Sequence, residues 1–333
     1  MKRLSVVLFA VLFALSAAAA AESEEDLIAQ AKREGEVIYY SVVRSSAEAP
    51  IIQAFEKEYP FVKVNRYRAG QSALLERILQ ESRANRYPDV VTNNFFQLLT
   101  LADRGLLESY EFPAQKAVRK GFVDPEHRFT ALGITPFAIS FNTQSLKLAE
   151  IPKQYQDFLD PKWKGQLGLI PQVGWVLSIL DALGDEKGEA FLRGLAKQNV
   201  RINSGNSLQL QLLAAGEFKV GIPNIVYLVA NLKAKGAPVD FAYIDPVYTD
   251  FSGTGLVAKG PHKAAAKLFL RYLFSQQAQE LYKDSGRLPG RADVSPEDLR
   301  LVEGVTFEPY KASWVKDVGK AQKLADTLFG GAK

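Results

Sequence analysis

Apolar and polar positions along the chain follow two rhythms that alternate. Glu24–Glu34 places Leu27, Ile28 and Ala31 on one helical face and stops at Gly35. Residues 37–43 form an apolar run of strand length, and residues 47–59 bring Ile51, Ile52 and Phe55 to one side of a helix before Pro60. Residues 62–67 alternate as a strand, 72–83 read as a helix, and 88–92 form a short strand feeding a helix over 98–104. Such strand and helix units predict a mostly parallel sheet with helices on both faces. Thr130–Asn142 is rich in β-forming residues and breaks the alternation, after which residues 166–170 open a second α/β unit. Helices are predicted over 177–183, 187–197 and 208–215, with strands at 200–202 and 220–222 and a further helix ending near Lys235. Residues 239–248 read as extended, 253–259 as a return strand, and 264–284 as one long amphipathic helix.

The N-terminus has a different character. Met1, Lys2 and Arg3 precede an apolar run over residues 4–17, and Ala19, Ala20 and Ala21 supply the small residues of a signal-peptidase site, so cleavage is expected after Ala21. The run is shorter than the roughly 20 residues of a spanning helix, and acidic residues follow at once. No cysteine follows it, so a free periplasmic product is expected and not a lipoprotein. Without residues 1–21 the chain keeps 312 residues, with 39 basic against 37 acidic, which is room for two domains and no footprint of a nucleic-acid binder. The absence of cysteine removes disulfides and thiolate chemistry. His127 and His262 lie far apart in loop-like contexts, read as solvated, and predict no metal cluster.

The predicted layout is two α/β lobes, with the chain crossing at Thr130–Asn142 and recrossing near residues 245–255. Expected boundaries are residues 22–135 plus 252–295 for the first lobe and 136–251 for the second, with 296–333 docking on the second. Ligands of open parallel sheets bind beyond the carboxyl ends of the strands. Four strand-to-helix turns put small polar residues there: Ser41 to Ser46, the Gln71 and Ser72 turn, Asn93 with Asn94, and the turn carrying Asn206 and Ser207. Free N–H groups and the helix dipole at such turns favour an anion. Any one serine is better explained by capping, and Ser45 with Glu48 fits a capping box, whereas four such turns facing one cleft favour an anionic group in the ligand. Arg44 follows a buried strand and could grip a carboxylate or phosphate with its planar fork, or sit in a surface ion pair. Trp175 could line the cleft or fill the core, and Tyr227 divides in the same way. Trp163 and Trp314 read as packing residues.

Several segments, in order, resemble the extracellular solute-binding proteins of ABC importers, in the branch that includes the periplasmic ferric-ion-binding proteins. They include Val37-Ile38-Tyr39-Tyr40-Ser41, Tyr87-Pro88-Asp89-Val90-Val91, Ala102-Asp103-Arg104-Gly105-Leu106-Leu107 and Ile139-Ser140-Phe141-Asn142-Thr143. Asp160-Pro161-Lys162-Trp163-Lys164-Gly165 is the most specific, and residues 286–294 close the match. The resemblance implies a two-lobed Venus-flytrap fold of type II with two crossover segments forming a hinge, and delivery of the ligand to an inner-membrane permease driven by an ATPase. Ferric-binding members use an adjacent tyrosine pair, a histidine and a glutamate. Here the tyrosine position reads Asn224-Ile225-Val226-Tyr227, the histidine position holds Arg44, and the glutamate position holds Asn93 and Asn94. A permanent cation at Arg44 would repel bare Fe³⁺.

Enzyme readings find little support. Ser313-Trp314-Val315-Lys316 matches Ser-x-x-Lys without its partner motifs, and no nucleophile elbow, phosphate loop or His-Glu-x-x-His helix occurs. The expectation is a monomeric, non-enzymatic receptor without cofactor or bound metal, taking a small organic or phosphorus-containing anion. Its expected ligand contacts are Ser41, Arg44, Ser45, Gln71, Ser72, Asn93, Asn94, Trp175, Asn206, Ser207 and Tyr227. The alternative is ferric iron or a ferric chelate, held by tyrosines such as Tyr39, Tyr40 and Tyr227, and a periplasmic hydrolase is the rival from another class.

Overall fold

The computed structural model describes residues 23–330, so the predicted signal segment lies outside the described residues. The chain opens with helix α1 (Glu24–Glu34), capped by the Ser23 side chain and ended by Gly35 in the left-handed region. Strand β1 (Glu36–Ser41), helix α2 (Ser45–Glu58), β2 (Lys63–Arg68), α3 (Gln71–Arg83), β3 (Val90–Asn94) and α4 (Phe95–Asp103) follow, and β1 pairs in parallel with both β2 and β3. The predicted units are present here, with α4 starting three residues earlier than expected.

Strand β4 (Thr130–Asn142) carries the chain from one sheet into another. Its first half pairs antiparallel with β9 (Val247–Leu256), and its second half pairs antiparallel with β7 (Val220–Ile225) and β8 (Val239–Ala242). The second sheet is completed by β5 (Leu167–Leu169), parallel to β7, and β6 (Arg201–Ile202), parallel to β5. Its helices are α5 (Val173–Leu183), α6 (Asp185–Ala196), α7 (Asn206–Ala214) and α8 (Val226–Ala234). Strand β9 runs antiparallel to β3 and returns the chain to the first sheet. The sheets are therefore mixed: parallel units flank a central antiparallel pair formed by the two crossing strands. Gly133 on β4 lets the two layers close, because a Cβ there would stand 2.3 Å from the buried Tyr282 ring.

Two predicted elements differ. The single helix expected over 264–284 is two, α9 (Lys263–Leu273) and α10 (Gln276–Asp284). Ser275 takes an extended conformation between them and its Oγ accepts the Ala278 N–H, so a cap interrupts an otherwise continuous amphipathic pattern. The extended run expected over 239–248 is broken at residues 243–246, between β8 and β9, and the return strand starts at Val247, six residues earlier than its pattern suggests. Strand β10 (Leu288–Pro289) joins β4, and β11 (Phe307–Pro309) joins β9 in parallel. The closing helix α11 (Val318–Phe329) packs on α5. Asp181 of α5 ties this C-terminal segment down, accepting from Lys311 Nζ at 2.6 Å, Trp314 Nε1 at 3.3 Å and the Tyr248 hydroxyl.

The histidines do lie in loops, but both are partly buried and engaged rather than freely solvated. His262 Nδ1 lies 2.9 Å from Asp89 Oδ2, and its backbone N–H donates to Asp89 Oδ1. His127 Nδ1 lies 3.1 Å from Gln115 Oε1. Trp163 and Trp314 are buried packing residues.

Candidate functional site

A cleft between the two sheet systems collects the N-termini of helices from both. One half, of about 380 Å³, is lined by Arg44 and Ala47 at the start of α2, Asn206 and Ser207 at the start of α7, Tyr227 on α8, and Arg287 between α10 and β10. The other half, of about 630 Å³, is lined by Gln71 and Ser72 of α3, Asn94 and Phe96 at the start of α4, Gln172 before α5, and Asp250 of β9. Tyr310 and residues of α11 close this second half. Ser204, Gly205 and Asn206 line both halves and make them one continuous cleft.

Arg44 is the N-cap residue of α2, extended at φ −63° and ψ 142°, and its side chain is exposed to the cleft. The capping box predicted from Ser45 and Glu48 is not formed. Ser45 Oγ accepts from Arg66 Nη1 at 3.0 Å, and Glu48 turns inward. The Glu48 carboxylate accepts from Tyr39 OH (2.5 Å), Ser41 Oγ (2.6 Å) and Arg66 Nε (2.6 Å). Burial raises the Glu48 pKa despite the Arg66 charge, and burial followed by the Glu48 charge raises that of Tyr39. Ser41 is consumed by this buried network and does not reach the cleft, which corrects its predicted role. Ser45 likewise lines neither half.

Asn93 is also structural. It is fully buried, its Nδ2 donates to the Gln71 carbonyl at 3.1 Å and its Oδ1 accepts the Asn94 N–H at 2.8 Å, which holds the starts of α3 and α4 together. Asn94 does line the cleft and donates from Nδ2 to Asp250 Oδ2 at 2.9 Å. Gln71 and Ser72 are exposed in the second half, and Ser207 in the first. Asn206 Oδ1 accepts the Ile225 N–H at 2.9 Å, bracing α7 against the end of β7. Trp175 is 2 % exposed and belongs to the core of α5, because its position on that helix points away from the turn where Gln172 to Gly174 line the cleft.

The cleft residues that escaped sequence reasoning include Arg287, Gln172, Asp250, Tyr310, Phe96 and Asp326. Arg287 Nη1 donates to the Tyr227 hydroxyl at 3.3 Å, and the guanidinium lies 5.6 Å from the Tyr227 ring centroid and 5.9 Å from that of Tyr282. Among the described residues neither Arg44 nor Arg287 has a carboxylate partner, and no acidic residue lines their half of the cleft. The Gln172 side-chain nitrogen is buried without a partner in the second half. Burial raises the Asp250 carboxyl to about 6, against the pull of hydrogen bonds from the Phe251 N–H and Asn94. A usable signal existed for Arg287 alone, since it follows the Gly286 that ends α10.

The tyrosines proposed for iron are not brought together. Tyr39 is held by Glu48 and Thr92, Tyr40 donates to Glu81 Oε2 at 2.9 Å, and neither lines the cleft that Tyr227 borders. Asn224 is buried in β7, with Nδ2 on Ser140 Oγ at 2.5 Å. Among the described residues no group of three or more His, Cys, Asp or Glu side chains is placed to hold a metal ion.

Residues 85–316 match the family of bacterial extracellular solute-binding proteins. The chain belongs to that family. It is the substrate-binding component of an ABC importer and not an enzyme. Its fold is that of the two-lobed periplasmic binding proteins, and a Trichodesmium protein (IdiA, FutA) in complex with iron and citrate superposes with a TM-score of 0.78 at 22% identity over 90% of this chain and 100% of that one. The Fe(3+)-binding periplasmic protein of Serratia marcescens is 23% identical over 258 residues, 74% of this chain and 76% of the relative. A putative 2-aminoethylphosphonate-binding periplasmic protein of Salmonella paratyphi A is 24% identical over 259 residues, 71% of this chain and 72% of the relative. No helix among the described residues is long and apolar enough to cross a membrane.

Proposed function

We propose that this solute-binding protein captures a small organic or phosphorus-containing anion in the periplasm, as a monomer, and presents it to its inner-membrane permease. The observation that carries the reading is the pair of guanidinium groups, Arg44 and Arg287, both without a carboxylate partner in a cleft half that holds no acid. An anion there would replace water on two permanent cations and on the free N–H groups at the starts of α2 and α7. Each charge-assisted hydrogen bond contributes about 1.5 to 3 kcal/mol. The lobes are residues 22–135 plus 252–295 and residues 136–251, with β4 and β9 as crossing strands, and ligand would draw them together by bending there.

Ferric iron is the second reading, because curated relatives are named for it. Arg44 at the expected histidine position, asparagines at the glutamate position, and Tyr39 and Tyr40 tied up in internal hydrogen bonds all speak for the anion instead. Visible absorption of iron-loaded protein separates the two. A tyrosinate-to-iron band would replace the anion reading with the iron one, and calorimetric binding of a phosphonate or carboxylate without iron would support the anion.

A further inference from the structure

The charges lining the cleft are separated by sign. Arg44 and Arg287 are the charged residues of one half, Asp250 and Asp326 those of the other, and Ser204 to Asn206 run along the seam. Neither acid has a cationic partner among the described residues: the donors to Asp250 and Asp326 are neutral, Asp326 Oδ1 accepting from Gln322 Nε2 at 2.9 Å. The Asp250 carboxylate accepts from Asn94 Nδ2 at 2.9 Å and from the Phe251 N–H at 2.8 Å, contacts that fix its orientation but bring no positive charge. Phe96 and Tyr310 line the same half and stack on each other with ring centroids 5.7 Å apart. A half-buried carboxylate beside two aromatic rings, with a second acid on exposed α11, is the environment that attracts an organic ammonium. A receptor for a simple anion gains nothing from an acid in its cleft, since that acid repels the ligand.

We infer that the solute is zwitterionic, with its anionic group at Arg44 and Arg287 and a cationic nitrogen in the half lined by Asp250, Phe96 and Tyr310. The inference rests on the anion reading above and narrows the ligand to amino-substituted phosphonates, phosphate monoesters or carboxylates. Asp250 is then the residue that distinguishes such solutes from anions of the same size lacking nitrogen. Gln172, whose side-chain nitrogen is buried without a partner in the Asp250 half, offers a donor to a polar atom of the solute.

The test uses three matched pairs in calorimetric titration of ligand-free protein: 2-aminoethylphosphonate with ethylphosphonate, phosphoethanolamine with ethyl phosphate, and 4-aminobutanoate with butanoate. In at least one pair the amino compound should bind about ten- to a hundred-fold more tightly in the wild type, the range expected of one charge-assisted contact. In Asp250→Asn that advantage should fall below about three-fold while affinity for the amine-free partner holds or improves. Equal affinity within every pair would overturn the zwitterion and leave the anion reading standing. An amine preference that survives Asp250→Asn would overturn the assignment to Asp250. No binding of any of the six would remove the anion reading and this inference with it. If Asp250→Asn does not fold, Phe96→Leu carries the test, because it keeps the bulk and removes the ring: the same preference in Phe96→Leu as in wild type counts against the proposed ammonium corner.

Discussion

Asp250 should cost the ligand-free protein stability, and replacing it should show by how much. Burial lifts its carboxyl from 3.8 to about 6, a displacement equivalent to about 3 kcal/mol between the protonation states. The folded state therefore binds the proton more tightly than the unfolded chain. Stability falls as pH rises from about 4 to about 6, and the whole penalty is present above that window. Asp250→Asn cannot ionise and escapes it. Near pH 4 the folded wild-type carboxyl is itself protonated and, like the variant's amide, accepts well through one oxygen, so the two proteins have comparable hydrogen bonds there. Asp250→Asn should therefore match wild type within about 1 kcal/mol near pH 4 and be more stable by about 1 to 3 kcal/mol near pH 8. Urea denaturation of both ligand-free proteins at the two pH values reads this difference directly. A variant that is less stable by the same amount at both would refute the reasoning, because the hydrogen bonds would then outweigh the buried charge throughout.

Other substitutions separate binding from folding. Arg287→Ala and Arg44→Ala should each weaken anion binding by roughly ten- to a hundred-fold in calorimetric titration, with Arg44→Lys recovering only part because a point charge lacks the fork. Thermal melts of Arg44→Ala should barely move, since the side chain is exposed and unpaired; a large loss of Tm with unaltered affinity would remove it from the site. Trp175→Ala should instead cost about 3 to 5 kcal/mol of stability as a core truncation, read by denaturant titration, and a folded variant that lost only affinity would return Trp175 to the cleft. Gly133→Ala drives a Cβ into Tyr282 and should destabilise by roughly 1 to 3 kcal/mol. Small-angle scattering should show a smaller radius of gyration on saturation with ligand, and an unchanged radius would mean a cleft that is already closed.

Much of the architecture was legible in the sequence because its elements bury one face in a regular rhythm. Helices such as α3 and strands such as β1 stand within a few residues of their predicted limits, and Thr130–Asn142 has the bounds its composition suggested. Boundaries failed where a cap or a turn intervened without disturbing the apolar pattern, as at Ser275 between α9 and α10. The site was harder. Arg44, Gln71, Ser72, Asn94, Asn206, Ser207 and Tyr227 do line the cleft, because helix starts are visible as small polar residues after strands. Ser41, Asn93 and Trp175 carry the same local signal but face inward, and a one-residue change of direction along a strand or helix leaves no trace in composition. Asp250 and Arg287 come from segments remote in sequence, and only the two crossing strands bring them to one cleft.

The central claim is that the cleft holds an organic or phosphorus-containing anion on Arg44 and Arg287, and the measurement that meets it most directly is native mass spectrometry of protein released from the periplasm and never refolded. The predicted result is an adduct of one small solute bearing a phosphorus acid or carboxylate group, present on wild type and lost from Arg287→Ala. An iron adduct, accompanied by a tyrosinate-to-iron absorption band and undiminished in Arg287→Ala, would contradict it.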